Sequence, residues 1–133
     1  MKNKFIKIED KGKFNGIRKY IVILSNENDK ITSVNRRFKH FYLLSQKIQS
    51  IFEYAIIPTI PEKQFWKKKI LGEDEKKVFY EIRKELLEFY LNHLFNHFII
   101  QETDLFKFFF SESENFDVTT QLIIRIKLKN FIR

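Results

Sequence analysis

A small set of basic residues in this sequence has the type and setting to do chemistry. Arg83 lies in a stretch of strong helical periodicity. At about 100° per residue, Lys77, Glu81, Lys84, Glu85, Glu88 and Asn92 share a polar arc, and Arg83 falls roughly opposite it. Its neighbours along the helix are Leu87, Tyr90 and Leu94, which should face a core. A guanidinium is always charged, so seating it on an apolar face costs free energy unless an anion satisfies it or its stem carries the charge to water. Arg36 and Arg37 precede a second helical pattern, where backbone N–H groups and the helix dipole favour an anion, and Phe38 follows at once with a flat apolar ring. Lys63 comes two residues after Pro61 in Ile57-Pro58-Thr59-Ile60-Pro61-Glu62-Lys63, where two prolines fix φ and stiffen the segment. Rigidly mounted cations around an aromatic surface suit a polyanionic, ring-shaped ligand. The same residue types also suit an internally paired guanidinium, and the pattern alone leaves both open.

Other chemistry is poorly provided for. His93 and His97 stand four apart on the long helical pattern and could chelate a metal, but no third ligand is evident nearby, so structural roles are expected for both. No Ser/His/Asp arrangement, Walker loop or glycine-rich phosphate loop is present. With zero Cys, disulfides, thiolate metal sites and cysteine nucleophiles are excluded. The expectation is a binding module, not an enzyme, with no cofactor and no metal.

The elements that must position these residues follow from periodicity. Phe5 to Ile8 alternates as a strand, Lys11 to Gly16 has the composition of a connecting loop, and Tyr20 to Leu24 is a β-branched strand. Ser25 to Lys30 reads as a turn and Ile31 to Val34 as a third strand, which together make an antiparallel meander. Phe41, Leu44, Ile48 and Ile51 then recur at helical spacing, the polyproline II segment follows, and the longest helical pattern runs from about Asp74 to His97. A short helix is expected from Asp104 to Phe110, with Glu102 and Asp104 at its start. Strands first and helices afterwards predict an α+β domain: a three-stranded meander, then a helical subdomain of three to four helices with a polyproline II loop.

The 133 residues suffice for one domain, and a formal net charge of +8 favours an anionic partner. No apolar run approaches the ~20 residues that span a bilayer, and the first ten residues lack a secretory pattern, so a cytoplasmic setting with peripheral membrane contact is expected. Nucleic-acid binding draws support only from charge and aromatic content. The strands are aliphatic and offer few rings for base stacking, so no nucleic-acid partner is expected.

With these residues in view, the sequence resembles a PX (phox homology) domain, the phosphoinositide-binding module of sorting nexins. Arg36-Arg37-Phe38-Lys39-His40-Phe41 is similar to the family's Arg-Arg-Tyr-x-x-Phe segment, and residues 57–63 match its apolar-Pro-x-x-Pro-x-Lys pattern. Arg83-Lys84-Glu85-Leu86-Leu87-Glu88-Phe89-Tyr90-Leu91 resembles its Arg-x-x-x-Leu-x-x-aromatic helix. The resemblance covers residues 4–112 as a PX-like domain and leaves 113–133 as a C-terminal extension without guidance. Its departures are Phe38 for the usual Tyr, His40 where Asp is common and Phe98 where Pro is common.

The resemblance implies a ligand set. Arg37 would pair with the 3-phosphate, Phe38 would pack under the inositol ring, Lys63 would contact the 1-phosphate, and Arg83 would contact the 4- and 5-hydroxyls. Arg36 would be structural or a peripheral charge. Phosphatidylinositol 3-phosphate and an acidic membrane surface are thus the implied partners, on endosomal or vacuolar-type membranes, in membrane trafficking. Phe65, Trp66, Lys67, Lys68, Lys69, Ile70 and Leu71 would form the membrane-inserting loop. The alternatives are a PX-like protein-interaction platform and a non-specific binder of acidic lipid or nucleic acid.

Overall fold

The computed structural model describes residues 4–26, 30–61 and 72–111. Side-chain alternation organises residues 4–26 and 30–37. Ile6 and Ile8, Tyr20 and Val22, and Val34 and Arg36 are buried on one face, because successive strand residues point to opposite sides. β1 (Phe5–Phe14), β2 (Ile17–Ser25) and β3 (Lys30–Arg37) form an antiparallel sheet in the order β1-β2-β3. Ile8 stands opposite Val22 and Val22 opposite Val34, so the buried face is a ladder of β-branched cross-strand pairs.

The meander is the expected one, but the first connection is not. The stretch from Lys11 to Gly16 reads as a loop in sequence, whereas β1 continues through it to Phe14. Gly12 adopts φ 76° where the pairing shifts register between Asp10 and Lys13, and the Asp10 carboxylate accepts its N–H at 2.8 Å. That is a bulge, and the positive φ suits glycine there. Asn15 and Gly16, at φ 52° and 76°, make the two-residue turn whose left-handed pair matches the twist of the flanking strands. One glycine bends the strand and the other reverses it.

α1 (Phe38–Ile51) buries Phe38, His40, Phe41, Leu44 and Ile48. Ile51, expected on the same stripe, is exposed because the helix ends there. Phe52 donates its N–H back to Ile48 and packs against the core instead. α2 (Glu73–Asn96) opens with Glu73, Asp74 and Glu75, which complement the helix dipole, and buries Arg83, Leu87, Tyr90, Leu91 and Leu94. A 3₁₀ turn (Ile100–Glu102) leads to α3 (Asp104–Phe109), which is capped by Thr103, whose hydroxyl accepts the Phe106 N–H at 3.2 Å. The architecture is the expected α+β one, with three α-helices among the described residues.

Two polar side chains of α2 dock it on the sheet. β1 is an edge strand, and its outward N–H groups would invite pairing with other chains. Asn92 accepts the Ile6 N–H and donates to the Ile6 carbonyl, both at 2.8 Å, while Glu88 accepts the Ile8 N–H at 2.9 Å. Part of the polar arc therefore serves the fold, and Val78, Ile82, Leu86 and Phe89 lie exposed on the outer face of the helix.

The core joins sheet and helices through Tyr20, Phe41 and Phe109, packed edge to face with centroids 5.9 and 5.2 Å apart. Tyr20 and Tyr90 are buried, and their hydroxyls have no hydrogen-bond partner among the described residues. Burial pushes the Tyr20 phenol up to about 12, against an opposing pull from Arg83, and also pushes the Tyr90 phenol up. The folded state thus keeps protons that the unfolded chain releases near pH 10. Stability from these groups is complete below that pH and is lost as pH rises towards about 12. Thermal melts should show a level midpoint up to about pH 9 and a fall beyond pH 10. Tyr90→Phe should soften that fall and leave neutral-pH stability equal or higher, because the deleted hydroxyl has no partner to lose. A marked neutral-pH loss in this variant would show that the hydroxyl is satisfied.

Candidate anion-binding site

Arg37 is the N-cap residue of α1, in extended geometry at φ −92° and ψ 162°. Its side chain offers no acceptor to the first-turn N–H groups, unlike the Ser, Thr, Asp or Asn that usually caps a helix. His40 Nδ1 accepts the Arg37 N–H at 3.0 Å, so a histidine does what Glu or Gln does in a capping box. This bond fixes the backbone that carries the half-buried Arg37 side chain, which forms no ion pair with a described residue. A cation at a helix N-terminus is placed to bind an oxyanion together with the backbone.

Arg83 approaches the same corner from α2. Its guanidinium carbon lies 3.6 Å from the centroid of the Phe38 ring and 5.8 Å from that of Phe79. The residue is only 5% exposed, and Nε has no hydrogen-bond partner among the described residues. Burial pulls its pKa down from the usual arginine value, with the Tyr20 and Tyr80 phenols acting in the opposite sense. The sequence left an internal carboxylate open as its partner; among the described residues Arg83 has aromatic faces instead and no ion pair. A desolvated cation–π contact contributes ~2 kcal/mol, whereas burying an ion costs several, so the charge is under-compensated. An arriving anion would redress that.

The adjacent Arg36 has a different fate. It is 3% exposed, donates from Nε to the Phe109 carbonyl at 2.9 Å and from Nη1 to the Asn35 carbonyl at 3.0 Å, and also bonds the Ser111 carbonyl. The C-terminal carbonyls of α3 lack intrahelical partners, and this arginine supplies donors to them. Arg36 is structural, one of the two roles expected.

Sequence reasoning missed Arg18. Its guanidinium carbon sits 3.4 Å from the Tyr80 ring centroid, and Nη1 bonds both Asp10 oxygens at 2.8 and 2.6 Å. The signal was strand alternation: Arg18 is two residues from the buried Tyr20, and Asp10 stands opposite Tyr20. Reading residues 11–16 as a loop hid it.

Phe38 and Arg83 are thus in contact, and Arg37 adjoins Phe38 in the chain. Lys63 and the loop residues Phe65, Trp66, Lys67, Lys68, Lys69, Ile70 and Leu71 lie outside the described residues. The segment leading towards them runs between α1 and α2, with Ile57 and Ile60 against the core and the Ile56 carbonyl 3.2 Å from His93 Nε2. His97 Nδ1 receives the Ile99 and Ile100 N–H groups at 3.3 and 3.2 Å. Both histidines have structural partners, and the described residues contain no cluster of three metal-ligating side chains. No helix among them is long and apolar enough to cross a membrane.

A sequence-family model of the PX domain matches residues 24–113, more than half of the chain. The chain belongs to the PX domain family. Its relatives include sorting nexin-33 of Homo sapiens, 31% identical over 99 residues, and sorting nexin-18 of Mus musculus, 30% identical over 97 residues. Sorting nexin lst-4 of Caenorhabditis elegans is 26% identical over 113 residues. These matches cover 74%, 73% and 84% of this chain but only 16%, 15% and 19% of the relatives, so the PX chain spans under a fifth of their length. Among solved structures, a designed CISK-PX domain superposes with a TM-score of 0.62 at 22% identity, over 82% of this chain and 98% of that one, which shows the shared fold.

The under-compensated charge makes a prediction about this PX domain. Arg83→Met keeps the stem and removes the buried ion, so it should stabilise the fold by about 1–4 kcal/mol in urea denaturation. A destabilised Arg83→Met would mean that the charge is already satisfied.

Proposed function

We propose that this chain binds a phosphoinositide headgroup at Arg37, Phe38, Lys63 and Arg83, and so recruits its protein to membranes as a binding module and not an enzyme. Phosphatidylinositol 3-phosphate is the preferred ligand in this reading, on the cytoplasmic face of endosomal or vacuolar-type membranes, with a role in trafficking. The observation that carries the reading is the buried Arg83 guanidinium, which has no described carboxylate partner and lies against Phe38, the residue next to Arg37.

Arg37 is assigned the 3-phosphate, because a planar fork matches phosphate bidentately and the α1 N-terminus adds its dipole. Arg83 is assigned the ring hydroxyls at the 4- and 5-positions, Phe38 the apolar floor that also bears Arg83, and Lys63 the 1-phosphate. Phe65, Trp66, Ile70 and Leu71 would enter the interface, and Lys67, Lys68 and Lys69 would each contribute ~1 kcal/mol near an anionic surface. Its similarity to sorting nexins supports a trafficking role.

The test is vesicle co-sedimentation against every phosphoinositide at physiological salt. Wild type should select the 3-phosphate, and Arg37→Ala should weaken that binding by about ten- to a few-hundred-fold, the loss of one charge-assisted phosphate contact. Binding that simply tracks vesicle charge, or unchanged sedimentation by a folded Arg37→Ala protein, would refute the assignment.

A further inference from the structure

A guanidinium that reads a ligand needs a mount as well as a ring beneath it. The bonds from Glu88 and Asn92 to β1 secure the C-terminal half of α2, beyond Arg83. Nearer the start of the helix the attachment is of another kind. Tyr80, three residues before Arg83 and hence a near neighbour on the helix surface, lies with its ring 3.4 Å from the Arg18 guanidinium carbon. Phe79 meets Tyr80 edge to face at 5.4 Å and lies 5.8 Å from the Arg83 guanidinium. Arg18 is anchored in turn through Nη1 by both Asp10 oxygens, and that carboxylate also accepts the bulge N–H of Gly12.

The Arg18 and Asp10 side chains are only 21% and 17% exposed, so solvent screens the pair less than it would a surface bridge. A planar guanidinium anchored through Nη1 by a carboxylate leaves its face for an aromatic ring, which a lysine could not do. Tyr80, Arg18 and Asp10 all act electrostatically on Arg83, which agrees with their closeness to it.

We propose that Asp10, Arg18 and Tyr80 form a clamp that positions Arg83, so that the β1–β2 hairpin helps to set headgroup affinity and discrimination. These are positioning residues, and the functional half of the proposal rests on the headgroup reading above. The Tyr80 ring stacked on Arg18 is the contact that the clamp needs.

The experiment compares Tyr80→Phe, Tyr80→Ala and Arg18→Lys in the 133-residue chain by two readouts. The first is lipid-free NMR of the Arg83 side chain, whose protons should be shifted upfield by the Phe38 ring. The second is binding to phosphatidylcholine/phosphatidylserine vesicles carrying either phosphatidylinositol 3-phosphate or a bisphosphorylated phosphoinositide. Tyr80→Phe, which keeps the stack, should stay closer to wild type than Tyr80→Ala in both. Tyr80→Ala and Arg18→Lys should lose most of the ring-current shift, bind the 3-phosphate vesicles about tenfold more weakly, as for one lost charge-assisted contact, and discriminate less between the two lipids.

Unchanged Arg83 resonances in folded Tyr80→Ala or Arg18→Lys would overturn the clamp. So would equal losses in Tyr80→Phe and Tyr80→Ala. Altered Arg83 resonances with unchanged vesicle binding would uphold the clamp and overturn the headgroup role of Arg83. If Tyr80→Ala fails to fold, Arg18→Lys carries the same comparison.

Discussion

The Arg83 guanidinium rests 3.6 Å from the centre of the Phe38 ring, nearly out of solvent, with no ion pair to a described residue. A charge in that position is expensive to desolvate, and a ring face returns only part of the cost. The surrounding packing over-determines it. Phe38 is held because α1 starts there, and Arg83 is held because α2 is stacked on Arg18 at one end and bonded to the edge of β1 further along. The fold keeps a largely buried cation in place, which is the preorganisation that anion recognition rewards.

The two neighbouring arginines show how one step of backbone geometry separates a committed guanidinium from one without an ion pair to a described residue. Arg36 ends the strand alternation on the buried face, opposite Tyr20, and spends its donors on carbonyls at and beyond the end of α3. Arg37 falls on the other side of the same alternation, and the helix begins immediately after it. One links the sheet to the last helix, and the other stands at an N-terminus with its charge uncommitted among the described residues.

Much of this was legible in the sequence. Period-two alternation found β1, β-branched composition and an intervening turn found β2 and β3, period 3.6 found α1 and α2, and the helical phase placed Arg83 with Leu87, Tyr90 and Leu94 on the buried side. The losses have physical causes. Gly12 and Gly16 lie so close together that bulge and turn merge into one apparent loop, and this concealed the long hairpin that sets Arg18 beside Asp10. Ile51 fits the apolar period of α1, but periodicity cannot see that Phe52 ends the helix and takes the core position. Glu88 and Asn92 look solvated on a helical wheel, because a wheel does not include the strand edge that they satisfy. Long-range pairings of this kind are tertiary facts.

The central claim is that the poised cations converge on one ligand. The most direct measurement is an NMR titration of the full chain with soluble inositol 1,3-bisphosphate at physiological salt. The account predicts saturable shifts, fitted by a single dissociation constant, at Arg37, Phe38, Lys63 and Arg83. Shifts scattered over the basic surface without saturation, or a saturating set that leaves Arg83 and Phe38 unmoved, would contradict it.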